Sequence, residues 1–553
     1  MRGRQVFMDS LVQHGADAIF ANPGTTENPV LDSLLDYPNI NYYVALHEGI
    51  AVGAAGYYAR TSGKTAIANL HVAPGLGNAI GMLYGVLRAS SPVIVTAGQQ
   101  DTRMRLREPI LYHDLISIAD PVTKWAVEPQ SADEIGPTMR RAFKVANEHP
   151  KGPVFVALPI NVMEQETNIA AEKTGRIYSE NLADTDGVEN LAKLILASKS
   201  PAIIAGDDVA NNGASSALQE LAELTGSAVF TEYLRTRQPI SNRHPNCRGR
   251  IPYEFSLVRN SLSDHDFIFM IGGQFIEEVW YDKTSPFPEG AIVTQLEAAS
   301  SRLARNFCLD MGLVGDIRTT LKTLVAKIQE KTTPTNINQI AKRNEGLKAL
   351  KKEEKDKYLA QIRKQKGRSP MSAGEALELV GQTLPEQTIS IDETITASTD
   401  LNEVLEYTDS NFFSGRGGGI GQCLAGAIGV AVAKPNNLIA AFSGDGSAMY
   451  SIQALWTAAH HKLNILFVIV SNREYRVLKH NIEAYRIRFD ALAERPYPHM
   501  DLTNPELGFV EIACGMGVPG ALAKCPEDIA PAIDKAIKTP GPFLLEILVA
   551  GKE

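Results

Sequence analysis

The stretch LIAAFSGDGSAMYS, residues 438–451, places a carboxylate between two glycines directly after an apolar run. That run, Leu438–Phe442, has the length and composition of a buried strand, and Ile465–Val470 has the same character. Between them, Ser451–His461 shows a helical pattern. Strand, helix and strand in this order predict a βαβ unit with two parallel strands and a right-handed crossover. The stretch therefore predicts an α/β fold built on a parallel sheet.

The same alternation occurs near the start of the chain. Residues 1–170 contain short apolar runs separated by helical patterns such as Glu48–Arg60, which is typical of a parallel sheet with helices on both faces. The first and last parts of the chain are therefore predicted to share one architecture. The strand-like runs of the first part are Ala18–Phe20, Tyr42–Leu46, Thr65–Leu70, Val93–Ala97 and Val154–Leu158.

A different unit lies between these two parts. Strand patterns occur in SPAIIAGDDVA (200–210) and at Asp266–Ile271, whereas 331–370 is dense in lysine and glutamate and is predicted to be a solvated helical linker. In the last part, Thr388–Ile391 and Phe543–Leu548 are further predicted strands. We expect an α/β protein with three doubly wound parallel-sheet domains, with the linker between the second domain and the third. The predicted domains are residues 1–170, 185–330 and 371–553.

The composition excludes several classes of protein. A chain of 553 residues is too long for one hydrophobic core, and its net charge of −9 argues against nucleic acid as the main partner. Five cysteines without CxxC spacing predict reduced thiols rather than a zinc site or disulfides. No run approaches the roughly 18 apolar residues of a membrane-spanning helix, and polar residues interrupt any signal peptide near the N-terminus. We expect a cytoplasmic protein that binds neither nucleic acid nor membrane.

Two polar side chains follow the neighbouring strands of the βαβ unit. Asp445 follows the first predicted strand and Asn472 follows the second. Because ligands bind beyond the carboxyl ends of parallel strands, we expect these two side chains to lie close together. Their oxygens suit a Mg²⁺ ion that takes further ligands from phosphate. Gly444 and Gly446 let the main chain approach an anion closely. The pattern predicts a magnesium–diphosphate site.

Gly444-Asp445-Gly446 with Asn472 resembles the cofactor motif of the thiamine diphosphate-dependent decarboxylase and acetolactate-synthase-like superfamily. The usual pair of asparagines is here Ser471-Asn472, which keeps the ligand position. A second match lies in YYVALHEGIAVGAAGYYAR (42–60), where Glu48 stands at the place of the glutamate that faces the cofactor's aminopyrimidine ring. Within the superfamily, the segments ANPGTTENPVLD, ANLHVAPGLGNAIG, HPNCRGRIP and GDGSAMYSIQALWTAA resemble the benzoylformate decarboxylases, in the same order and over nearly the whole chain.

The resemblance implies roles for individual residues. Glu48 would hydrogen-bond the pyrimidine ring nitrogen, His71 would act as a general acid or base, and Thr25 would contact the substrate carboxylate. The metal ligands would be Asp445, Asn472 and the main-chain carbonyl of Glu474. The remaining cofactor contacts implied by the resemblance are the carbonyl of Gly418, Ile420 beneath the thiazolium ring, Gly444, Gly446 and Ser447.

The resemblance also implies a particular assembly. In this superfamily thiamine diphosphate and Mg²⁺ are held between the first domain of one subunit and the third domain of another. The protein would then be at least a homodimer, and the superfamily commonly forms homotetramers.

The family pattern breaks at two places. Val279 stands where the benzoylformate decarboxylases have a second active-site histidine, and Glu278, His113 or His480 would have to replace that group; the sequence does not choose among them. Asn481 stands where those enzymes have an aromatic residue in the substrate pocket. Arg473, Arg476, Lys479 and His480 lie near it, and such cations, if they face inward, imply a smaller, more polar or more anionic substrate.

The expected activity is non-oxidative decarboxylation of a 2-keto acid to an aldehyde, with carboligation as a further outcome. The alternative is an acetolactate synthase-like or 2-hydroxyacyl-CoA lyase-like enzyme, which the missing second histidine favours because slower protonation allows attack on another carbonyl. A nucleotide-binding protein using GLGNAIG (75–81) or GGGIG (417–421) is another class, but both loops fit the dinucleotide pattern poorly. A catalytically silent subunit is the last alternative, and the retained Glu48 argues against it.

Overall fold

The computed structural model describes residues 1–175, 177–491 and 495–551. It contains three parallel six-stranded sheets flanked by helices, which confirms the predicted α/β fold. The first sheet and all but one strand of the third sheet lie in one compact unit, and the middle sheet lies in another. The domain boundaries drawn from the sequence stay a prediction. Among the described residues no helix combines the length and the apolar character needed to cross a membrane.

The first sheet has the strand order β2-β1-β3-β4-β6-β5. Its inner strands are buried along their whole length, as expected of a parallel sheet that helices cover on both faces. The strands are β1 (Ala18–Ala21), β2 (Asn41–Val44), β3 (Ala66–Leu70), β4 (Val93–Gln99), β5 (Ala126–Val127) and β6 (Val154–Pro159). The helices are α1 (Gly3–Gln13), α2 (Asn28–Ser33), α3 (Glu48–Ser62), α4 (Val72–Arg88), α5 (Leu115–Ala119), α6 (Ile135–Asn147) and α7 (Ile160–Glu164).

The middle sheet has the order β12-β11-β10-β7-β8-β9. Its strands are β7 (Pro201–Ala205), β8 (Ala228–Thr231), β9 (Cys247–Arg250), β10 (Phe267–Ile271), β11 (Ile292–Glu297) and β12 (Met311–Val314). The helices are α8 (Thr185–Ala197), α9 (Asp207–Asn211), α10 (Ser215–Thr225), α11 (Phe255–Leu262), α12 (Ile317–Lys331) and α13 (Pro334–Gln365).

Helix α13 covers most of the segment that the sequence predicts to be a charged helical linker. Its Arg343 guanidinium donates to the carbonyls of Ser198 at 3.1 Å and Thr225 at 2.6 Å. Ile340 and Ile362 are buried in an otherwise mostly exposed helix. The helix is therefore attached to the middle sheet's unit by a few specific contacts.

The third sheet has the order β14-β13-β15-β16-β18-β17. Its strands are β13 (Ile389–Glu393), β14 (Phe412–Ser414), β15 (Ile439–Gly444), β16 (Ile465–Ser471), β17 (Gly520–Ala523) and β18 (Phe543–Leu548). The helices are α14 (Ala373–Thr383), α15 (Ser398–Val404), α16 (Gln422–Ala433), α17 (Asp445–Ala448), α18 (Ala454–His460), α19 (Arg476–Arg488), α20 (Phe509–Gly515) and α21 (Ile529–Lys538).

The first and third sheets follow the same path through their strands. In each, the second strand lies on one side of the first strand and the third strand lies on the other side. The middle sheet extends from β7 through β8 and β9 on one side and through β10 to β12 on the other. The likeness of the first and last parts of the chain that the sequence indicates is thus visible in the topology of the first and third sheets.

Helix α18 is shorter than the sequence pattern predicts. The pattern runs over Ser451–His461, whereas the helix begins at Ala454. The Ser451 hydroxyl donates to the carbonyl of Gly421 at 2.7 Å, and the Ala454 amide donates to the carbonyl of Ser451 in a turn. A tertiary hydrogen bond therefore holds the first part of the predicted helix in a turn.

Helices α3 and α16 join the two outer sheets within their unit. Small residues let them approach closely, since a Cβ added to Gly53 would lie 2.8 Å from the Ala425 side chain. A Cβ added to Gly426 would lie 2.7 Å from the ring of Tyr57. The glycine- and alanine-rich character of both helices is thus explained by packing of helix against helix.

Glu297, at the end of β11, is expected to make the free energy of unfolding depend on pH. Its Oε1 accepts from the Gln295 side chain at 2.9 Å, whereas no described group pairs with Oε2. Burial raises the pKa of this carboxyl from its ordinary 4.5 to about 8. A raised folded-state pKa gives stability that is complete below pH 4.5 and is lost as the pH rises towards 8, at roughly 1.4 kcal/mol for each pH unit.

We therefore expect the free energy of unfolding to fall between pH 5 and pH 8 less steeply in Glu297→Gln than in the parent protein. Urea denaturation midpoints across this range measure the difference. Glu289→Gln, at an exposed position of the same unit, is the matched control and should leave the slope unchanged. Equal slopes in all three proteins would show that Glu297 is ionised in the folded state.

Candidate active site

A cavity of about 200 Å³ opens at the carboxyl edge of the third sheet. The cavity is lined by residues 394–397 after β13 and by residues 444–447 at the end of β15 and just after it. After β16 it is lined by Asn472 and residues 474–477. The chain passes from β13 to β14 on one side and returns to β15 on the other, so its direction along the sheet reverses between β13 and β15. Ligands of doubly wound sheets bind at such a reversal. The cavity therefore lies where this fold favours a ligand.

Asp445 lies at the floor of this cavity and is 4% exposed. Its Oδ1 accepts from the Gly446 amide at 2.8 Å, and its Oδ2 accepts from the Arg473 amide at 2.6 Å. Burial raises the pKa of the carboxyl, although these hydrogen bonds oppose the rise. The Ser471 hydroxyl donates to Oδ2 at a longer distance, 3.5 Å. A carboxylate has about four lone-pair positions, so acceptor capacity remains beyond these bonds.

The oxygens around Asp445 fit a hard divalent cation. Asn472 lines the same cavity, and its side-chain oxygen accepts from the Glu474 amide at 3.1 Å. Within the described residues, no group of three or more His, Cys, Asp or Glu side chains is placed to hold a metal ion. A cation here would therefore use one carboxylate together with amide and main-chain oxygens, which is a donor set that Mg²⁺ accepts.

Gly446 is required by the packing of Tyr475. A Cβ at position 446 would lie 2.5 Å from Cε1 of the tyrosine ring, which is closer than real Cβ contacts allow. The ring lines the cavity, and burial raises the pKa of its hydroxyl. The second glycine of the motif thus makes room for an aromatic wall, in addition to letting the main chain approach an anion.

The side chain of Gln422 holds the loop of residues 416–421 by hydrogen bonds. The Gln422 side-chain nitrogen donates to the carbonyls of Arg416 at 2.9 Å and Gly419 at 2.8 Å. Glu393, whose pKa burial raises to about 7, accepts from the first amides of α16 at 3.0 Å. These bonds fix the loop that presents Ile420 to the cavity, while Gly418 stays exposed with a φ of +77°.

Glu48 is the first residue of α3 and is 6% exposed. Its Oε2 accepts from the Asn78 side chain at 3.0 Å. A Cβ added to Gly75 would lie 2.9 Å from its Oε1, so α4 packs closely against this carboxylate. The residues that line the cavity of the third sheet include none from the first sheet's domain. Glu48 is therefore buried in its own domain without reaching the cavity of the same chain.

His71 and Glu27 meet at the carboxyl edge of the first sheet. Glu27 follows β1 and His71 follows β3, which are neighbours at the reversal point of this sheet. His71 Nδ1 lies 2.8 Å from Glu27 Oε2. The fully buried carboxylate also accepts from the amides of Gly24 at 2.9 Å and Gly98 at 2.7 Å. Because Nδ1 is directed at the carboxylate, Nε2 is the ring nitrogen that remains to contact a ligand.

The backbone around His71 is unusual. A Cβ on Gly24 would collide with the imidazole ring, so only glycine fits there. Val72, the first residue of α4, has a φ of +39°, which is a strained conformation for a β-branched residue. Close packing and local strain thus hold the histidine at the N-terminal end of α4, the same end that contacts Glu48.

Glu27→Gln is expected to lower kcat by about a hundredfold if His71 transfers a proton, because the amide cannot accept from every donor that now surrounds the carboxylate. Steady-state kinetics measure the loss. The double variant Glu27→Gln/His71→Ala should be no slower than His71→Ala alone, since the carboxylate acts through the imidazole. Additive losses in the double variant would show that Glu27 has a separate role.

The other residues singled out in the sequence fall into different environments. Thr25 is exposed beside the buried Thr26. His480 lines the third-sheet cavity, whereas the exposed residues His113 and Asn481 do not. Val279 lies in the unit of the middle sheet and is 67% exposed.

Sequence reasoning missed the residues that support the predicted ones. Glu27 contacts His71, and Asn78 donates to Glu48. Gln422 holds the loop before α16, and Tyr475 packs against Gly446 of the diphosphate motif. Glu27 lies two residues after Thr25 in the segment ANPGTTENPVLD. Its position after β1 is a signal of the same kind as the position of Asp445 after a strand. The roles of Asn78 and Gln422 depend on contacts that no local pattern indicates.

Three family models match this chain. They are the N-terminal thiamine pyrophosphate binding domain over residues 1–118, the central domain over 188–324 and the C-terminal thiamine pyrophosphate binding domain over 397–547. The chain belongs to the thiamine pyrophosphate enzyme family. In this family's terms, Glu48 and His71 lie in the N-terminal cofactor-binding domain, and Asp445 and Asn472 lie in the C-terminal one.

Relatives within the family catalyse different reactions. Benzoylformate decarboxylase from Pseudomonas aeruginosa is 28% identical over 543 residues, which cover 97% of this chain and 97% of that protein. The acetolactate synthase large subunit of Cyanidium caldarium is 24% identical and matches 100% of this chain and 94% of its own. The solved structure of a thiamine diphosphate-dependent 4-hydroxybenzoylformate decarboxylase from Rhodococcus jostii RHA1 has a TM-score of 0.84 at 25% identity, over 100% of this chain and 99% of that one. The family models thus establish the family, and the relatives do not single out one reaction.

Proposed function

We propose that this protein is a thiamine diphosphate- and Mg²⁺-dependent enzyme that decarboxylates a 2-keto acid to an aldehyde without oxidation. The observation that carries the proposal is the cavity that brings Asp445 and Asn472 together at the reversal point of the third sheet. The buried Glu48 in the other cofactor-binding domain supports it, as does the likeness to benzoylformate decarboxylase.

Each site residue has a role that its surroundings support. Asp445, Asn472 and the Glu474 carbonyl would hold Mg²⁺ and, through it, the diphosphate, while Gly444, Gly446 and Ser447 would lie against the phosphates. The bound cofactor supplies a nucleophilic carbon and an electron sink for the electrons that CO₂ leaves behind. Glu48 would share a hydrogen bond and a proton with the pyrimidine ring. Ile420 and the Gly418 carbonyl would support the cofactor's rings, and Thr25 would contact the substrate carboxylate.

His71 is proposed to transfer the proton that completes the aldehyde. Its Nδ1 is engaged by Glu27, so Nε2 is the atom that remains for substrate. The partly exposed imidazole suits this role because it is reachable from solvent while its orientation is fixed.

The proposed active site needs two copies of the chain. Glu48 does not line the cavity that contains Asp445 in its own chain, so a second subunit would supply it. Met449 and Tyr450, which follow the cavity-lining segment 444–447 in sequence, are 36% and 62% exposed in the single chain, and Tyr84 in the first domain is 43% exposed. We propose a homodimer at minimum, assembling into a homotetramer, with these side chains covered by the partner.

A carboligase is the second candidate. Val279 in place of the second histidine favours it, because slower proton delivery leaves time for a second carbonyl compound to react. The likeness to an acetolactate synthase subunit points the same way. Product analysis with pyruvate, glyoxylate and benzoylformate separates the two: aldehyde as the main product supports the decarboxylase, and 2-hydroxyketone or 2-hydroxyketo acid supports the ligase.

A further inference from the structure

Four basic side chains follow Asn472 along the chain, and the structure divides them into two pairs. Arg473 makes an ion pair with Glu506 at 2.6 Å. Lys479 makes ion pairs with Glu474 and, at 2.7 Å, with Asp501. The first pair of cations is therefore neutralised by carboxylates of the same chain.

Arg476 and His480 make up the second pair. Both line the cavity that contains Asp445, and they are four residues apart on α19, which places them on one face of that helix. Among the described residues neither makes an ion pair, and the Arg476 guanidinium has one long hydrogen bond, 3.4 Å, to the carbonyl of Ala550. Arg476 thus brings an uncompensated positive charge to the cavity wall.

Three acidic side chains line the cavity, Asp400, Asp445 and Glu474, and among the described residues none of them makes an ion pair with Arg476. Asp445 already accepts from two backbone amides and is committed to the proposed metal, and Glu474 is paired with Lys479. A cation left without an ion pair at the wall of a cavity favours an anionic ligand, because such pairs gain most where solvent is partly excluded.

We propose that Arg476, with His480 one turn later on α19, binds the diphosphate group of the cofactor. This inference rests on the proposed function. Both side chains share their cavity with Gly446 and Ser447, which are proposed above to lie against the phosphates, whereas the predicted substrate-side residue Asn481 does not line it. A diphosphate carries more negative charge than one Mg²⁺ ion offsets, and the guanidinium supplies a bidentate partner for phosphate oxygens.

The test is calorimetric titration of cofactor-free protein with thiamine diphosphate in excess Mg²⁺. Arg476→Gln is expected to raise the Kd about ten- to a hundredfold, which corresponds to loss of one charge-assisted hydrogen-bonded contact. Arg476→Lys, which keeps the charge, should lie between this variant and the parent protein, and His480→Gln should show a smaller loss. Arg488→Gln, in the last turn of the same helix and away from the cavity, is the matched control and should bind like the parent.

The outcomes separate this inference from the proposed function. A Kd for Arg476→Gln within about twofold of the parent, with a raised KM for the 2-keto acid, would overturn the inference and assign the arginine to substrate. Absence of thiamine diphosphate binding by the parent protein would contradict the proposed function itself. Thermal denaturation of the cofactor-free proteins shows whether each variant is folded, and Arg476→Lys decides the question if the glutamine variant is not.

Discussion

Glu48→Gln is expected to lower cofactor-dependent CO₂ release by about a thousandfold, within the range of general acid–base contributions. The carboxylate is buried against α4 and fixed by Asn78, so the isosteric amide fits the same space. The amide cannot take up or release a proton, which is what we propose that Glu48 does for the pyrimidine ring. CO₂ release with thiamine diphosphate and Mg²⁺ in excess measures the loss.

The control for this prediction is Glu386→Gln, at an exposed position outside both cofactor-binding edges, which should keep the parent activity. Because the change at Glu48 is isosteric, the melting temperature of the variant should stay close to that of the parent. Full activity of a folded Glu48→Gln protein would remove Glu48 from the mechanism.

Asp445→Asn is expected to weaken Mg²⁺-dependent binding of thiamine diphosphate by about a hundredfold or more, since a lost ligand should cost at least as much as the 10–100-fold typical of ligand-supporting residues. The carboxylate is the one anionic side chain in the proposed donor set, and the amide carries no charge to offset the cation. One position of the amide would also direct its NH₂ group at the backbone amides of Gly446 or Arg473, which now donate to the carboxylate. Calorimetric titration with and without Mg²⁺ measures the change.

A mixed dimer distinguishes a local effect from general damage. If each site combines Glu48 of one subunit with Asp445 of the other, a heterodimer of the two single variants contains one site with both changes and one site with neither. Such a heterodimer, purified with two different affinity tags, should recover activity that both homodimers lack. Failure to recover activity would show that each site lies within one chain, or that Asp445→Asn acts on folding.

The sequence predicted those parts of the site that follow from the geometry of parallel sheets. Asp445 and Asn472 each follow a strand, and neighbouring parallel strands end at the same edge, so their convergence on one cavity needed no tertiary information. The strand limits were predicted to within a few residues because buried parallel strands are continuous apolar runs; Phe543–Leu548 is the same in both.

The contacts that support the site could not be predicted in this way. His71 and Glu27 are 44 positions apart, and Glu48 and Asn78 are 30 apart, and no local periodicity relates such pairs. The four basic residues after Asn472 look alike in the sequence. Only the partners at Glu506, Glu474 and Asp501 show which two are neutralised, and only the phase of α19 shows that Arg476 and His480 face the cavity.

Helix α18 illustrates the same limit for secondary structure. Its apolar pattern extends back to Ser451, but a hydroxyl that bonds to the distant Gly421 carbonyl competes with the first turn. The same bond helps to fix the loop that presents Ile420, so the error in the predicted helix coincides with a feature of the proposed site.

We propose that a 2-keto acid loses CO₂ at a site made by Mg²⁺ and thiamine diphosphate in the cavity of Asp445. The most direct measurement is CO₂ release from a panel of 2-keto acids by protein that has been stripped with a chelator and then resupplied. We expect at least one acid to release CO₂ only when both thiamine diphosphate and Mg²⁺ are returned. Release that continues in the stripped protein, or no release from any acid together with no binding of thiamine diphosphate, would contradict it.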